Sequence, residues 1–178
     1  MTYSQIKDLN ANFNFMHKYG KTPIPTLEEF LQWVKDKPLR LNLELKNNKI
    51  AYKHLEEIVL EILAAYQLAD RTIISTFNPV SVKKLKSCNT RAEVAYLTSK
   101  RFFNPLSAAI DLGADAVHVK TSLLRPKLLK ACQKKHIKLR VYTPNKMRQM
   151  LACMTLGCDG LITDFPKKAI DCRHNLKI

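Results

Sequence analysis

The chain has 178 residues and a formal net charge of +15, from 30 Lys+Arg against 15 Asp+Glu. A hydrophobic content of 46% with 25% charged residues suits one globular domain with a sizeable core and excludes disorder by composition. No run approaches the ~20 apolar residues of a membrane span. Met1-Thr2-Tyr3-Ser4-Gln5-Ile6-Lys7-Asp8 lacks the apolar stretch of a signal peptide, so a cytoplasmic location is expected.

Residues 1–25 are polar and irregular, with Asn10, Asn12, Asn14 and Gly20 between aromatics, and read as a loop with a short helical turn. Thr26-Leu27-Glu28-Glu29 is a capping box, and the helix it opens runs to about Lys35 with Leu27, Phe30, Leu31 and Val34 on one face. Lys37-Pro38 ends it. Leu39-Arg40-Leu41-Asn42-Leu43-Glu44-Leu45-Lys46 then alternates without a fault, apolar at odd positions and polar at even ones. That is strand periodicity, and it sets Glu44 and Lys46 side by side on one face.

From there the chain alternates. A helix is predicted over 50–67, a strand over 72–75, a helix from Pro79 to about Lys86 and a strand over 93–97. A helix over 104–112 and a strand over 115–119 follow, then a helix from Pro126 and a strand over 137–142. A helix over 145–156 stopped by Gly157, a strand over 159–163 and a last helix from Pro166 complete the pattern. Regular βα alternation over 26–170 means a parallel sheet with right-handed crossovers, either doubly wound or of the (β/α)8 type. No GxGxxG or GxxxxGK[ST] occurs, which removes support for the nucleotide-binding versions. Functional residues in either fold belong at the C-terminal ends of the strands, here Glu44/Lys46, Ser75/Thr76, Thr98, Lys120, Thr143 and Asp164.

The excess of positive charge should attract polyanions: nucleic acid, anionic lipid surfaces or phosphorylated substrates. The lysines occur as scattered pairs (Lys83-Lys84, Lys134-Lys135, Lys167-Lys168) with no aromatic-rich basic stripe, so nucleic acid is not the expected partner. Cys88, Cys132, Cys153, Cys158 and Cys172 form no CxxC and read as reduced packing or surface thiols. His118, inside an apolar strand, reads as a satisfied core histidine.

Five segments resemble the glycerophosphodiester phosphodiesterase family when taken in order. They are Ile24-Pro25-Thr26-Leu27-Glu28-Glu29-Phe30, Leu43-Glu44-Leu45-Lys46, Ile74-Ser75-Thr76-Phe77-Asn78-Pro79, Val141-Tyr142-Thr143-Pro144-Asn145 and Cys158-Asp159-Gly160-Leu161-Ile162-Thr163-Asp164-Phe165-Pro166. The resemblance implies a (β/α)8 barrel that hydrolyses glycerophosphodiesters to glycerol 3-phosphate and an alcohol, with a calcium or magnesium ion. It makes Glu44 one carboxylate ligand of that metal. It makes Lys46 a phosphate holder and Tyr142 a wall of the barrel mouth, where the family commonly has tryptophan. Ser75 and Phe77 become packing and pocket wall, and Asp164 the cap of the last helix.

The family's His-Arg-Gly, Glu-x-Asp and His-Asp motifs, which carry its catalytic histidines and other metal carboxylates, do not occur in this sequence. A (β/α)8 barrel also takes ~250 residues. The expectation is therefore a single α/β domain forming an incomplete (β/α)8 TIM-type barrel, about strands three to eight of the family fold, truncated at its N-terminal side. No catalytic residue is assigned. An N-terminal fragment encoded upstream is a candidate partner, beside the glycerophosphodiester or phospholipid headgroup. The alternatives are a non-catalytic module binding anionic lipid or a partner protein, and a basic nucleic-acid-binding protein.

Overall fold

The computed structural model describes residues 2–12, 16–100 and 104–176. Two short helices, α1 (Tyr3–Lys7) and α2 (Met16–Tyr19), precede α3 (Leu27–Val34). Six βα units follow: β1 (Leu41–Leu45), α4 (Leu55–Ala65), β2 (Thr72–Thr76), α5 (Pro79–Ser87), β3 (Glu93–Thr98), α6 (Pro105–Asp111), β4 (Ala116–Lys120), α7 (Pro126–Lys134), β5 (Lys138–Tyr142), α8 (Met147–Leu156), β6 (Gly160–Ile162) and α9 (Pro166–Asn175). The strands lie in the order β1-β2-β3-β4-β5-β6, every neighbour parallel, in a curled arc that is an incomplete TIM-type barrel. The strands stop at or within one residue of the ends expected from periodicity.

Parity sorts the side chains. Leu41, Leu45, Ile74, Val94, Tyr96, Val117, Val119, Leu139 and Val141 share the convex face, where they pack against Leu31, Val59, Leu63, Val82, Leu85 and Leu129 of the helices. The concave face holds only a small apolar cluster, Ile73, Ala95 and Ala116. One large core therefore lies outside the arc, between sheet and helices.

Local chemistry sets the helix ends. The Thr26 hydroxyl accepts the Glu29 N–H at 3.1 Å and the Glu29 carboxylate accepts the Thr26 N–H at 2.8 Å, the expected capping box. Arg71, just before β2, donates to the Val34, Lys35 and Lys37 carbonyls, so a cation closes the C-terminus of α3. Gly157, at φ 82°, ends α8 in the left-handed conformation that glycine adopts without Cβ strain. Asp115 and Asp159, each just before a strand, accept the N–H of Val94 at 2.9 Å and of Leu139 at 2.7 Å, tying β4 to β3 and β6 to β5 at their entry.

Two expectations are corrected. α4 begins at Leu55 rather than near Ile50, with His54 just before it at φ 57°, in the left-handed region and outside the helix. Asn47 donates its side-chain amide to Ser81 at 2.7 Å and to Glu56 at 3.2 Å, while its own carbonyl accepts from Asn78 at 3.3 Å. The Thr76 hydroxyl lies 3.1 Å from both the Leu45 carbonyl and the Asn47 side-chain oxygen. Asp164 does not cap α9: the capping position is Phe165, which makes no side-chain cap bond. Asp164 instead accepts from the Asn145 amide at 2.6 Å, and Asn145 accepts the Asp164 N–H at 3.1 Å. This bond locks the loop after β5 to the turn after β6.

Glu56 is the anionic centre of the Asn47 cluster. Burial pushes its carboxyl upward, but the Ser81 hydroxyl and the Lys84 ammonium at 3.1 Å outweigh that and hold it below the usual range. Its contribution is present above the ordinary glutamate range and is lost as pH falls through the depressed value. Glu56→Ala should lower the unfolding free energy by about 2–4 kcal/mol, since Asn47, Ser81 and Lys84 lose their common acceptor. A urea titration at neutral pH measures this, and an unchanged midpoint would contradict the role given to the cluster.

Candidate functional site at the mouth of the arc

Glu44 and Lys46 leave β1 on the concave side, as their spacing requires. The Lys46 ammonium lies 3.3 Å from a Glu44 carboxylate oxygen, with the lysine side chain 80% exposed and the glutamate 34%. Register places Glu44 beside Ser75 of β2, which is fully buried. Two residues further, Phe77 meets Tyr142 at the end of β5, ring edge to ring face, with centroids 6.0 Å apart. Strands three positions apart in a flat sheet are separated by ~14 Å. The ring contact exists because the sheet curls and both side chains reach across its hollow.

Tyr142 is also in the field of Glu44. Burial pushes its phenol above the ordinary range and the Glu44 carboxylate acts in the same direction, with the nearby Ser99 hydroxyl opposing. The Tyr142 hydroxyl is buried beside the Ser99 hydroxyl. The peptide bond between Tyr142 and Thr143 is cis. The three residues singled out in the sequence thus stand at one end of the sheet, Glu44 and Lys46 in contact and Tyr142 facing them through Phe77. An open groove of about 440 Å³ adjoins them, lined in part by Asn48, Phe77, Asn78 and Ser99.

A hard divalent cation takes six or more oxygen ligands. The described residues contain no cluster of three or more His, Cys, Asp or Glu side chains able to hold one. Glu44 brings one carboxylate, already paired with Lys46. The residues present do not fit a complete calcium or magnesium site.

Deeper in the hollow lies a charged layer that the sequence reading passed over. Glu93 at the start of β3 is paired with both Arg140 and Lys138 of β5, and both its carboxylate and the guanidinium are largely buried. Burial raises the Glu93 carboxyl, but the two cations outweigh it and hold it low. The available signal was Lys138-Leu139-Arg140-Val141-Tyr142, which alternates as β1 does. His118 of β4 sits above this pair, fully buried. Its Nε2 lies 3.3 Å from an Arg140 nitrogen that can only donate, which places the ring proton on Nδ1. Nδ1 has no hydrogen-bond partner among the described residues, so the histidine is in the core as expected but only half satisfied by them. Burial, reinforced by the Arg140 charge, pushes its pKa down to about 4.

A histidine held neutral in the fold and free to protonate when unfolded contributes stability above pH ~6.5 that drains away as pH falls toward the folded value. The loss from this one group is of order 3 kcal/mol at full titration. His118→Leu should therefore flatten the decline in urea stability between pH 7.5 and pH ~4.5. A decline as steep as that of the parent chain would refute a neutral His118.

The similarity to known proteins agrees with this geometry. The model of the glycerophosphoryl diester phosphodiesterase family matches residues 1–168. An uncharacterized protein, YqiK, of Bacillus subtilis (strain 168) is 34% identical over 169 residues, 94% of this chain and 70% of that protein. A glycerophosphodiester phosphodiesterase of Bacillus altitudinis is 30% identical over 179 residues, 99% of this chain and 73% of that protein. The crystal structure of a glycerophosphodiester phosphodiesterase from Parabacteroides distasonis superposes with a TM-score of 0.83 at 24% identity, covering 99% of this chain and 72% of that one. A parallel βα arc with its polar residues at the C-terminal strand ends, matched over nearly its whole length, makes this chain a member of the glycerophosphoryl diester phosphodiesterase family.

Proposed function

We propose that the chain binds the phosphate of a glycerophosphodiester or phospholipid headgroup at the Glu44–Lys46–Tyr142 edge, and that these 178 residues alone do not hydrolyse it. The observation that carries the reading is the exposed Lys46 ammonium beside Glu44, at the end of the hollow that Phe77 and Tyr142 bridge. Lys46 offers charge to a phosphate oxygen. The Tyr142 ring forms the wall. Glu44 contributes one oxygen toward a divalent cation whose other ligands these residues do not provide.

Hydrolysis also needs an acid and a base within reach of the nucleophile and the leaving group. His118 is fully buried and neutral at pH 7, so it serves neither role. By resemblance, the family places these groups in its His-Arg-Gly and His-Asp motifs. The reading includes a cytoplasmic setting, supported by five free cysteines. No helix among the described residues is long and apolar enough to cross a membrane.

The chain alone should show no turnover of glycerophosphocholine or glycerophosphoethanolamine above background with calcium or magnesium present. Fusing an N-terminal segment of about 70 residues that carries the family's three motifs should restore metal-dependent activity, the length being the difference from a full barrel. In that fusion Glu44→Ala should abolish turnover and Lys46→Ala should weaken it. Metal-dependent turnover by the unfused chain, or full activity of the fused Glu44→Ala variant, would show the assignment to be wrong.

A further inference from the structure

The loops that follow the C-terminal strand ends share a composition that the core does not require. Between β1 and α4, Ile50 is 61% exposed and Tyr52 54%. At the starts of α5 and α8, which face the same end, Val80 is 70% exposed and Met147 50%. These side chains stand among Lys49, Lys53, Lys146 and Arg148, none of which is in an ion pair with a carboxylate among the described residues. At the opposite end of the arc Lys86, Arg91 and Lys138 are paired with Asp115, Asp70 and Glu93, while Lys35, Lys134 and Lys135 are in no ion pair with a carboxylate among the described residues. The exposed Trp33 of that end is covered by Lys37, whose ammonium lies 4.6 Å from the ring centre.

We infer that the rim formed by the β1–α4 loop and the starts of α5 and α8 docks on an anionic phospholipid bilayer. Both halves of the pattern are needed for that partner. Unpaired lysine and arginine are drawn to an anionic surface, and exposed apolar side chains beside them gain by entering the headgroup boundary. A free headgroup would leave Ile50, Val80 and Met147 in water. A nucleic acid would use the cations but would leave Ile50, Val80 and Met147 with nothing to stack on. The inference does not rest on the proposed headgroup chemistry, because partition onto a bilayer requires no turnover.

The test is sedimentation of the full chain with vesicles of phosphatidylcholine alone and of phosphatidylcholine with roughly one-third phosphatidylglycerol. The chain should bind the anionic vesicles, less so at high salt, and leave the neutral ones largely unbound. Lys49→Glu with Lys53→Glu should weaken binding roughly tenfold or more, and Ile50→Ser with Tyr52→Ser should weaken it clearly. Trp33→Ser at the opposite end should leave it unchanged. All these side chains are exposed, and circular dichroism checks that each variant folds. A second readout places Ile50→Trp in a Trp33→Phe background, whose emission should shift to the blue on anionic vesicles only. Equal loss with the opposite-end variant, insensitivity to both rim variants, or the absence of a blue shift would overturn the inference. So would binding to an RNA oligonucleotide that depends on the rim lysines but not on Ile50 and Tyr52.

Discussion

The parallel ladder is the constraint on which everything else depends. Once β1 to β6 pair in register, side-chain parity divides the molecule into two faces with opposite chemistry. Helices returning by right-handed crossovers can cover only one of those faces. The covered face is apolar and carries the core. The other is left for charge, and along it Glu44, Glu93, His118, Arg140 and Tyr142 fall at positions that parity and register alone assign. A one-residue slip in β1, β3 or β5 would move its charges into the core, so the same alternation that builds the fold also sets which face they take.

Polar bonds then set the two ends of the arc. At the entry end, Asp115 and Asp159 use side-chain oxygens to hold the neighbouring strand. At the mouth, Asn47, Thr76, Asn78, Ser81 and Glu56 make a buried network that fixes how the chain leaves β1. That exit positions Lys46, which is itself exposed and pairs with Glu44. The Asn145–Asp164 bond does the same for the loop beyond Tyr142.

The arc also explains the partial character of the site. Six strands leave β1 and β6 each paired on one side only, so the hollow is open and its polar groups face each other only where the curl brings them together. Phe77 and Tyr142 are such a meeting point. Glu93 and Arg140 are another, deeper, beside His118, whose pKa is pushed down by burial first and by the Arg140 charge second, with Glu93 opposing. The chain spans 70% and 73% of the two Bacillus relatives.

Local periodicity was enough to read the βα order, the strand ends, the Thr26 capping box, the stop at Gly157 and the adjacency of Glu44 and Lys46. All of these depend on residues within a few positions of one another, where helix and strand geometry dictate the outcome. The charged layer could not be read in the same way. Arg140 and Glu93 are 47 residues apart, and nothing local marks them as partners. Asn47 meets Ser81 across 34 residues, and nothing local marks that pair either. Asp164 stands where a helix cap would stand, yet it bonds to Asn145 from the preceding loop because the fold sets that amide within 2.6 Å. The sequence by itself determined which residues lie on which face of each element, because backbone geometry repeats every two or 3.6 residues. Only the tertiary structure decided which of those residues meet, because that depends on the curl and register of a sheet whose strands are separated by whole helices.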